Sequence, residues 1–336
     1  MSNEALHKWC NEYFKGEVEC TPLSGDASLR RYFRITLNDT SYIAADAPPA
    51  SEKNPEFVRI AQQLHETDIL APEVLAYDFE RGFLLLSDLG DQTLLPLLND
   101  ETVDGYYTQS LHLMADMQQL STSDLPAYDR ELLLQEMELL PDWFVTKLLN
   151  RNLSDAERSM LNDAFNVLID SALEQPQVFV HRDYHSRNIM VTKAGELAVI
   201  DFQDAVVGGM TYDLVSILRD CYIEWPAHLV NNWVNDYYLF ALQQGVLEDQ
   251  VTLQQFQQWF DWMGLQRHIK VLGIFSRLSL RDKKDGYLND LPLVLKYTLS
   301  VLAQYPEQPQ LAALLAWFND EIVPLALTQP WMEGRA

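Results

Sequence analysis

The sequence has few cysteines and no long apolar run. Its cysteines, Cys10, Cys20 and Cys221, are too few and too scattered for a disulfide framework or a zinc site, so reduced thiols are expected. No uninterrupted apolar stretch is long enough to span a bilayer, and residues 1–10 lack the cationic-then-apolar pattern of a secretion signal. These absences predict a cytoplasmic protein.

Basic residues are also scarce. The chain has 24 lysines and arginines against 49 acidic residues, which gives a net charge of −25. A surface of this sign repels nucleic-acid phosphates and anionic lipid, so neither is expected as a partner. The remaining composition is that of a globular protein, with 48% hydrophobic residues in 336, which supports a sizeable core in one large domain or two lobes.

Secondary-structure patterns change along the chain. The first 86 residues predict a small antiparallel sheet with helices over 3–15 and 55–67 and with strands at 18–23, 29–37, 41–47, 74–77 and 82–86. Later residues predict helices near 101–120, 130–149, 154–174, 211–222, 227–243, 251–282 and 309–325, interrupted by a β-rich island at 178–200. The expected architecture is therefore α+β and two-lobed, with a β-rich N-lobe at 1–90 and a helical C-lobe at 91–336.

The β-rich island carries a set of polar residues suited to phosphoryl transfer. Asp183 begins a loop, Asn188 ends it, and Asp201 follows the next predicted strand. Phosphoryl transfer needs a carboxylate that orients and deprotonates the nucleophile, and oxygen ligands that hold Mg²⁺ against a triphosphate. A His-x-Asp-x4-Asn pattern arises by chance in roughly one chain of this length in sixty, and the strand–loop–strand context makes chance rarer still.

Other polar residues lie in or near this loop. His185 and Arg187 could contact substrate or phosphate, and we place both among the candidate substrate contacts. His181 is expected to be structural, hydrogen-bonding backbone groups beneath the site. Asp213 opens a predicted helix and is expected to cap it or to brace the loop.

The Asp183, Asn188 and Asp201 set, followed by MTYDLVSIL at 210–218, resembles the aminoglycoside phosphotransferase and choline kinase family. Within it, SGDASLRRYFR at 24–34, DAPP at 46–49, GFLLLSDLG at 82–90 and QRHIKVLGIFSR at 266–277 are similar to the bacterial anomeric kinases of cell-wall recycling. Those kinases phosphorylate N-acetylmuramate and N-acetylglucosamine at the C1 hydroxyl.

The resemblance implies a protein-kinase-like fold that uses ATP and Mg²⁺. It implies that Asp183 is the catalytic residue and that Asn188 and Asp201 bind the metal. Nucleotide contacts are expected from the hinge residues Ser87 and Leu89 and from a phosphate loop that consists of Gly25, Asp26, Ala27 and Ser28.

The chain departs from the family pattern on its third strand. Kinases of this class usually carry a lysine there that holds the ATP phosphates, but residues 41–47 contain none. Either an arginine on the neighbouring strand (Arg30, Arg31 or Arg34) substitutes, or the loop amides and Mg²⁺ hold the phosphates. We place Arg31 among the expected nucleotide contacts.

A cluster of basic residues lies on the predicted helix at 251–282. Between Gly264 and Lys284 there are six basic residues and one acid, Asp282. The cluster could bind a substrate anion, or it could only neutralise the acidic surroundings. We name Arg267, Lys270 and Arg277 as candidate substrate contacts, together with Arg219 on an earlier helix.

These observations favour a sugar kinase with a small amino-sugar acceptor. Two alternatives stay open. The first is a kinase of the same fold that acts on an aminoglycoside, choline or another sugar. The second is a nucleotide-binding scaffold without catalysis, which the missing strand lysine suggests.

Overall fold

The computed structural model describes residues 2–23 and 30–333, without the side chains of residues 2 and 3. The chain divides into two compact units. Unit 1 consists of Met1–Leu120 with Ser186–Ala205, and unit 2 consists of Ser121–His185 with Val206–Ala336. The lobe bounds expected at 1–90 and 91–336 stay a prediction.

Strands and helices occupy most of the described chain. The strands there are β1 (Glu19–Pro22), β2 (Arg31–Leu37), β3 (Thr40–Asp46), β4 (Val74–Asp78), β5 (Phe83–Ser87), β6 (Gln177–Val180), β7 (Ile189–Val191), β8 (Leu197–Val199) and β9 (Val206–Gly209). The α-helices are α1 (Ser2–Phe14), α2 (Asn54–Glu66), α3 (Val103–Gln118), α4 (Arg130–Met137), α5 (Asp155–Glu174), α6 (Tyr212–Leu218), α7 (Ala227–Gln243), α8 (Leu253–Asp282), α9 (Leu291–Leu302), α10 (Pro309–Trp317) and α11 (Val323–Ala326).

Unit 1 is built on an antiparallel sheet. Its strand order is β1-β2-β3-β5-β4. Asn38 and Asp39 have φ values of +47° and +65°, the left-handed pair that a tight hairpin between β2 and β3 requires. One face of the sheet packs against α1, and the side chains buried there are Leu6, Cys10, Val18, Phe33, Ile35, Ala44, Phe83 and Leu85.

The β7–β8 hairpin completes unit 1. The amide of Leu94 donates to the carbonyl of Ile189 at 2.8 Å, and that of Val191 donates to Gln92 at 2.8 Å. These hydrogen bonds join a segment late in the chain to the one that directly follows β5. Unit 1 therefore contains both the sheet and the hairpin on which two of the candidate site residues lie.

Unit 2 is organised around α8, which packs against α5, α6 and α9. Gly273 permits the approach of the segment that follows α4, because a Cβ at this position would lie 2.3 Å from the carbonyl carbon of Leu139. Strands β6 and β9 form a two-stranded antiparallel sheet in which Val180, the last residue of β6, lies opposite Val206, the first residue of β9.

The predicted α+β, two-lobed class and the N-terminal sheet are confirmed. Two elements were missed, and one expected helix ends earlier. Neither α9 nor β9 was predicted, and the single helix expected at 130–149 is instead α4 followed by wider π-type turns over Leu140–Leu148. Within the described residues no helix is both long enough and apolar enough to cross a membrane.

Candidate active site

The β7–β8 hairpin brings the two predicted metal-binding residues together. Ile189 pairs with Val199. Just beyond that pair, the amide of Ile200 donates to the backbone carbonyl of Asn188 at 3.1 Å. Asp201 is the next residue, so the hairpin register places it beside Asn188, as the strand–loop–strand pattern predicted.

Asp201 is exposed and held by its neighbours. Its φ is +67°, a left-handed conformation that is uncommon outside glycine. Gln203 donates from Nε2 to Asp201 Oδ1 at 2.9 Å, and the buried ring of Phe202 stacks on Phe57 with a centroid distance of 4.8 Å. The loop is therefore anchored on α2 while its carboxylate faces solvent.

The donors on this hairpin fit Mg²⁺. A carboxylate and a side-chain amide are oxygen ligands, and Mg²⁺ keeps several of its waters, so that few protein ligands suffice. Asn188 and Asp201 supply such a pair. The described residues contain no group of three or more His, Cys, Asp and Glu side chains suited to a metal, so a zinc-type site is not found among them.

Arg30 is a buried cation beside the Asp201 loop. Only 4% of the residue is exposed, and its Nη2 lies 3.4 Å from Glu52 Oε2. Its Nη1 donates to Gln203 Oε1 at 3.4 Å, and its guanidinium lies 5.1 Å from the centroid of the Phe57 ring. Because Gln203 also contacts Asp201, Arg30 is two hydrogen bonds from a predicted metal ligand.

The other two arginines considered as substitutes for the strand lysine have different partners. Arg31 has a half-exposed side chain that pairs with Asp46. Arg34 donates to Asp88 and Asp91, each at 2.7 Å. The charge of Arg34 is thus held by two carboxylates. The predicted phosphate contact of Arg31 stays a prediction, and the surroundings of Arg30 make it the stronger candidate.

The expected hinge directly follows β5. Ser87 and Glu73 exchange two hydrogen bonds, one from each backbone amide, both at 2.9 Å. Leu89 is partly exposed. The adenine contacts expected of Ser87 and Leu89 stay predictions. The expected phosphate loop, Gly25, Asp26, Ala27 and Ser28, lies outside the described residues.

In unit 2 Asp213 holds the start of the loop that follows β6. Its carboxylate accepts the backbone N–H groups of His181, at 2.7 Å, and of Arg182, at 3.1 Å. The fully buried His181 in turn accepts the N–H of Asp183 on Nδ1 at 3.3 Å. The structural role predicted for His181 and the bracing role predicted for Asp213 are both confirmed.

Positive charges surround the Asp183 carboxylate. Burial raises the pKa of Asp183, but the positive charges of Lys270 and Arg182 lower it by more, so that the pKa lies below its ordinary value. Asp183 is therefore ionised at neutral pH. It can orient a hydroxyl and accept its proton.

Glu136 is a site residue that the sequence did not indicate. It is 7% exposed, and its Oε1 accepts from Lys270 Nζ at 3.1 Å and from Arg182 Nη2. Lys270 also donates to the hydroxyl of Tyr212 at 2.9 Å. One buried carboxylate on α4 thus fixes two of the cations that act on Asp183.

The basic residues on α8 have different environments. Arg267 and Lys270 are buried, with 4% and 6% exposed, whereas Arg277 is partly buried. Arg281 is exposed and pairs with Asp282 at 2.8 Å. Neutralisation of surface acids accounts for Arg281 but not for Arg267 or Lys270.

The remaining candidate substrate contacts are dispersed. Arg219 Nη2 lies 2.5 Å from Asp261 Oδ1, and Asp261 also accepts from the hydroxyl of Tyr305 at 2.7 Å, so Arg219 belongs to a buried structural pair. Arg187 is partly buried in unit 1. The substrate contacts expected of Arg187, Arg219 and Arg277 stay predictions.

Sequence comparisons are consistent with this chemistry. A model described as the phosphotransferase enzyme family matches residues 19–246. An N-acetylmuramate/N-acetylglucosamine kinase of Pseudomonas putida is 40% identical over 93% of this chain and 94% of its own. A protein of the same name from Neisseria meningitidis is 38% identical over 92% and 94%.

Solved structures with a similar fold are more distant in sequence. A choline kinase from Streptococcus pneumoniae aligns with a TM-score of 0.61 at 14% identity, over 89% of this chain and 99% of its own. An ADP-bound aminoglycoside phosphotransferase aligns with a TM-score of 0.60 at 14% identity, over 88% and 98%. At such identities the likeness concerns the fold alone.

Proposed function

Because the chain belongs to the phosphotransferase enzyme family, we propose that it is a kinase that phosphorylates the C1 hydroxyl of N-acetylmuramate and N-acetylglucosamine. The observation that carries this proposal is the 40% identity, over nearly the full length of both chains, to a kinase named for these two sugars. Phosphorylation at C1 would serve peptidoglycan recycling in the cytoplasm, where ATP is available.

Asp183 is the proposed catalytic residue. Its carboxylate orients the C1 hydroxyl and accepts its proton as the sugar oxygen bonds to the γ-phosphorus and the bond from that phosphorus to the ADP oxygen breaks. An anomeric hydroxyl is more acidic than an ordinary alcohol, so orientation is the larger part of this task. The cations around Asp183 support the role because they keep its carboxylate ionised.

ATP and Mg²⁺ are the proposed cofactors. Asn188 and Asp201 would hold the metal, which neutralises triphosphate charge when bound. The nucleotide would be held by residues of 1–90, which include the loop at 25–28, Arg31 and the hinge residues Ser87 and Leu89. The acceptor would bind within 91–336. His185, Arg187, Arg219, Arg267, Lys270 and Arg277 are the proposed acceptor contacts.

The test is Mg²⁺-dependent ADP release from ATP with N-acetylmuramate, N-acetylglucosamine, choline and kanamycin as separate acceptors. We expect turnover with the two N-acetyl sugars and none with their methyl glycosides, in which C1 is blocked. Turnover only with choline or kanamycin would overturn the acceptor assignment. Silence with all four acceptors would count against the proposed function.

A further inference from the structure

Arg267 is a buried guanidinium that donates to no carboxylate among the described residues. It is 4% exposed, and its one hydrogen bond among residues 2–23 and 30–333 is from Nη1 to Cys221 Sγ at 3.4 Å. Its Nε has no partner in that part of the chain. Burial raises the pKa of the Cys221 thiol to about 11, so this thiol is neutral and does not balance the charge.

The neighbouring cations are compensated. Lys270 pairs with Glu136 at 3.1 Å, and Arg219 pairs with Asp261 at 2.5 Å. A buried charge that lacks such a partner is costly, because desolvation is not offset by a hydrogen-bonded counter-charge. Asp183 acts on Arg267 electrostatically, but no carboxylate among the described residues accepts a hydrogen bond from the guanidinium, so its donors can accept a ligand anion.

His185 adds a second polar group to the same region. Its Nδ1 is buried without a partner in the described chain, and its ring packs edge-on against Tyr222 with a centroid distance of 5.3 Å. Arg267 acts electrostatically on both His185 and Asp183. The unpartnered groups therefore lie near the proposed catalytic carboxylate.

We propose that Arg267, assisted by His185, binds an anionic oxygen group of a ligand beside Asp183. A guanidinium suits this role because its planar donors match a carboxylate or a phosphate and because it is weakly hydrated. Two sources of the anion follow from the proposed function, on which this inference rests: the lactyl carboxylate of N-acetylmuramate and the phosphoryl group being transferred.

The two acceptors separate these sources. Arg267→Met removes the charge and approximately keeps the length of the side chain, Arg267→Lys keeps the charge without the planar donors, and Arg281→Met is the matched control on the exposed part of α8. If the carboxylate is bound, kcat/KM of Arg267→Met falls at least about tenfold for N-acetylmuramate and is unchanged for N-acetylglucosamine, which has no carboxylate. If the phosphoryl group is bound, kcat falls by a similar factor for both sugars. In either case Arg267→Lys should be less impaired than Arg267→Met.

Unchanged kinetics of Arg267→Met with both sugars would overturn the proposal.

A stability measurement distinguishes ligand binding from a structural role. Without ligand, the melting temperature of Arg267→Met should stay close to that of the wild type, because no carboxylate among the described residues is hydrogen-bonded to Arg267. A lower melting temperature with equal losses for both sugars would mean that Arg267 is structural, and would overturn the inference.

Inorganic phosphate tests the site independently of turnover. It should raise the melting temperature of the wild type and of Arg281→Met more than that of Arg267→Met. Equal shifts in all three proteins would contradict the inference. If the wild type phosphorylated neither sugar, the proposed function would fail while this comparison still decided the anion site.

Discussion

The carboxylate of Asp213 accepts the backbone N–H of Arg182 at 3.1 Å, and Arg182 has a φ of +74°. This left-handed conformation is unfavourable for a residue with a side chain and is kept only where surrounding contacts impose it. Burial raises the pKa of Asp213 to about 6, so that at neutral pH it is mostly ionised and can accept on both oxygens. Asp183 directly follows Arg182, so this contact fixes the position of the proposed catalytic carboxylate.

Replacement of Asp213 by asparagine should therefore impair catalysis without contact with substrate. The side-chain NH2 of asparagine is a donor and would face one of the two backbone N–H groups, whose hydrogen bonds the carboxylate now accepts. We expect kcat to fall about 100-fold through misplacement of Asp183, with a smaller change in KM for ATP. Steady-state kinetics measures both. An unchanged kcat in a folded Asp213→Asn protein would show that the contact is dispensable.

Removal of the Asp183 carboxylate should abolish most turnover and leave ATP binding intact. General-base assistance contributes about 10²–10⁴-fold, and Asp183→Ala should lose a factor in this range. Calorimetric titration with ATP would compare the binding constants of the variant and the wild type. Turnover at the wild-type rate would refute the mechanism.

Lys270→Met should move the acid limb of the kcat profile to higher pH. The pKa of Asp183 is lowered in the wild type, and Lys270 contributes most to the lowering. Without this cation the protonated form of Asp183 gains relative stability, so its pKa rises and activity is lost at a higher pH. The profile would be measured over the range in which circular dichroism shows intact protein. Arg281→Met, a cation lost from the exposed part of the same helix, should leave the limb where it is.

Asp201→Asn should raise the Mg²⁺ concentration needed for half-maximal activity. The substitution removes the charged oxygen of the proposed metal pair and keeps the size of the side chain. Titration of activity with Mg²⁺ at fixed ATP would measure the change, and removal of the metal by EDTA should silence the wild type. An unaltered Mg²⁺ requirement would argue against Asp201 as a ligand.

Arg30→Ala should raise KM for ATP more than Arg31→Ala does. Arg30 is buried between Glu52 and Gln203, close to the proposed metal loop, whereas the half-exposed Arg31 pairs with Asp46. We expect about a tenfold difference between the two variants, and partial recovery in Arg30→Lys, which keeps the charge. KM for the sugar should change little. A larger effect from Arg31→Ala would support the phosphate contact predicted from the sequence.

Sequence patterns predicted the elements whose residues are close together in the chain. The loop that links Asp183 to Asn188 and the strand before Asp201 could be placed from sequence because a hairpin joins residues close in the chain. Strand β9 was missed because Gly208 and Gly209 lack the side chains that strands favour. Helix α9 was missed although its buried residues Leu291, Val294, Leu295 and Thr298 follow helical spacing.

The contacts between residues of the site that are distant in the chain could not be predicted from the sequence. Helical spacing related Arg267 to Lys270, but it did not reveal that both are buried. Glu136 contacts Arg182 and Lys270, which are distant from it in the sequence. A carboxylate on a predicted helix usually faces water, and only the packing of α4 against α8 distinguishes this one.

The split composition of unit 1 has a consequence for biosynthesis. Its last segment, Ser186–Ala205, leaves the ribosome only after the whole of Ser121–His185. Until then the carbonyl of Gln92 and the amide of Leu94 lack the hydrogen-bond partners that β7 provides. The nascent N-terminal unit must therefore remain incomplete while part of unit 2 is synthesised, a stage at which chaperones would find exposed strand edges to bind. A chain that stops at residue 120 should be recovered mainly in aggregates, and its solubility should improve when residues 186–205 are supplied on the same polypeptide.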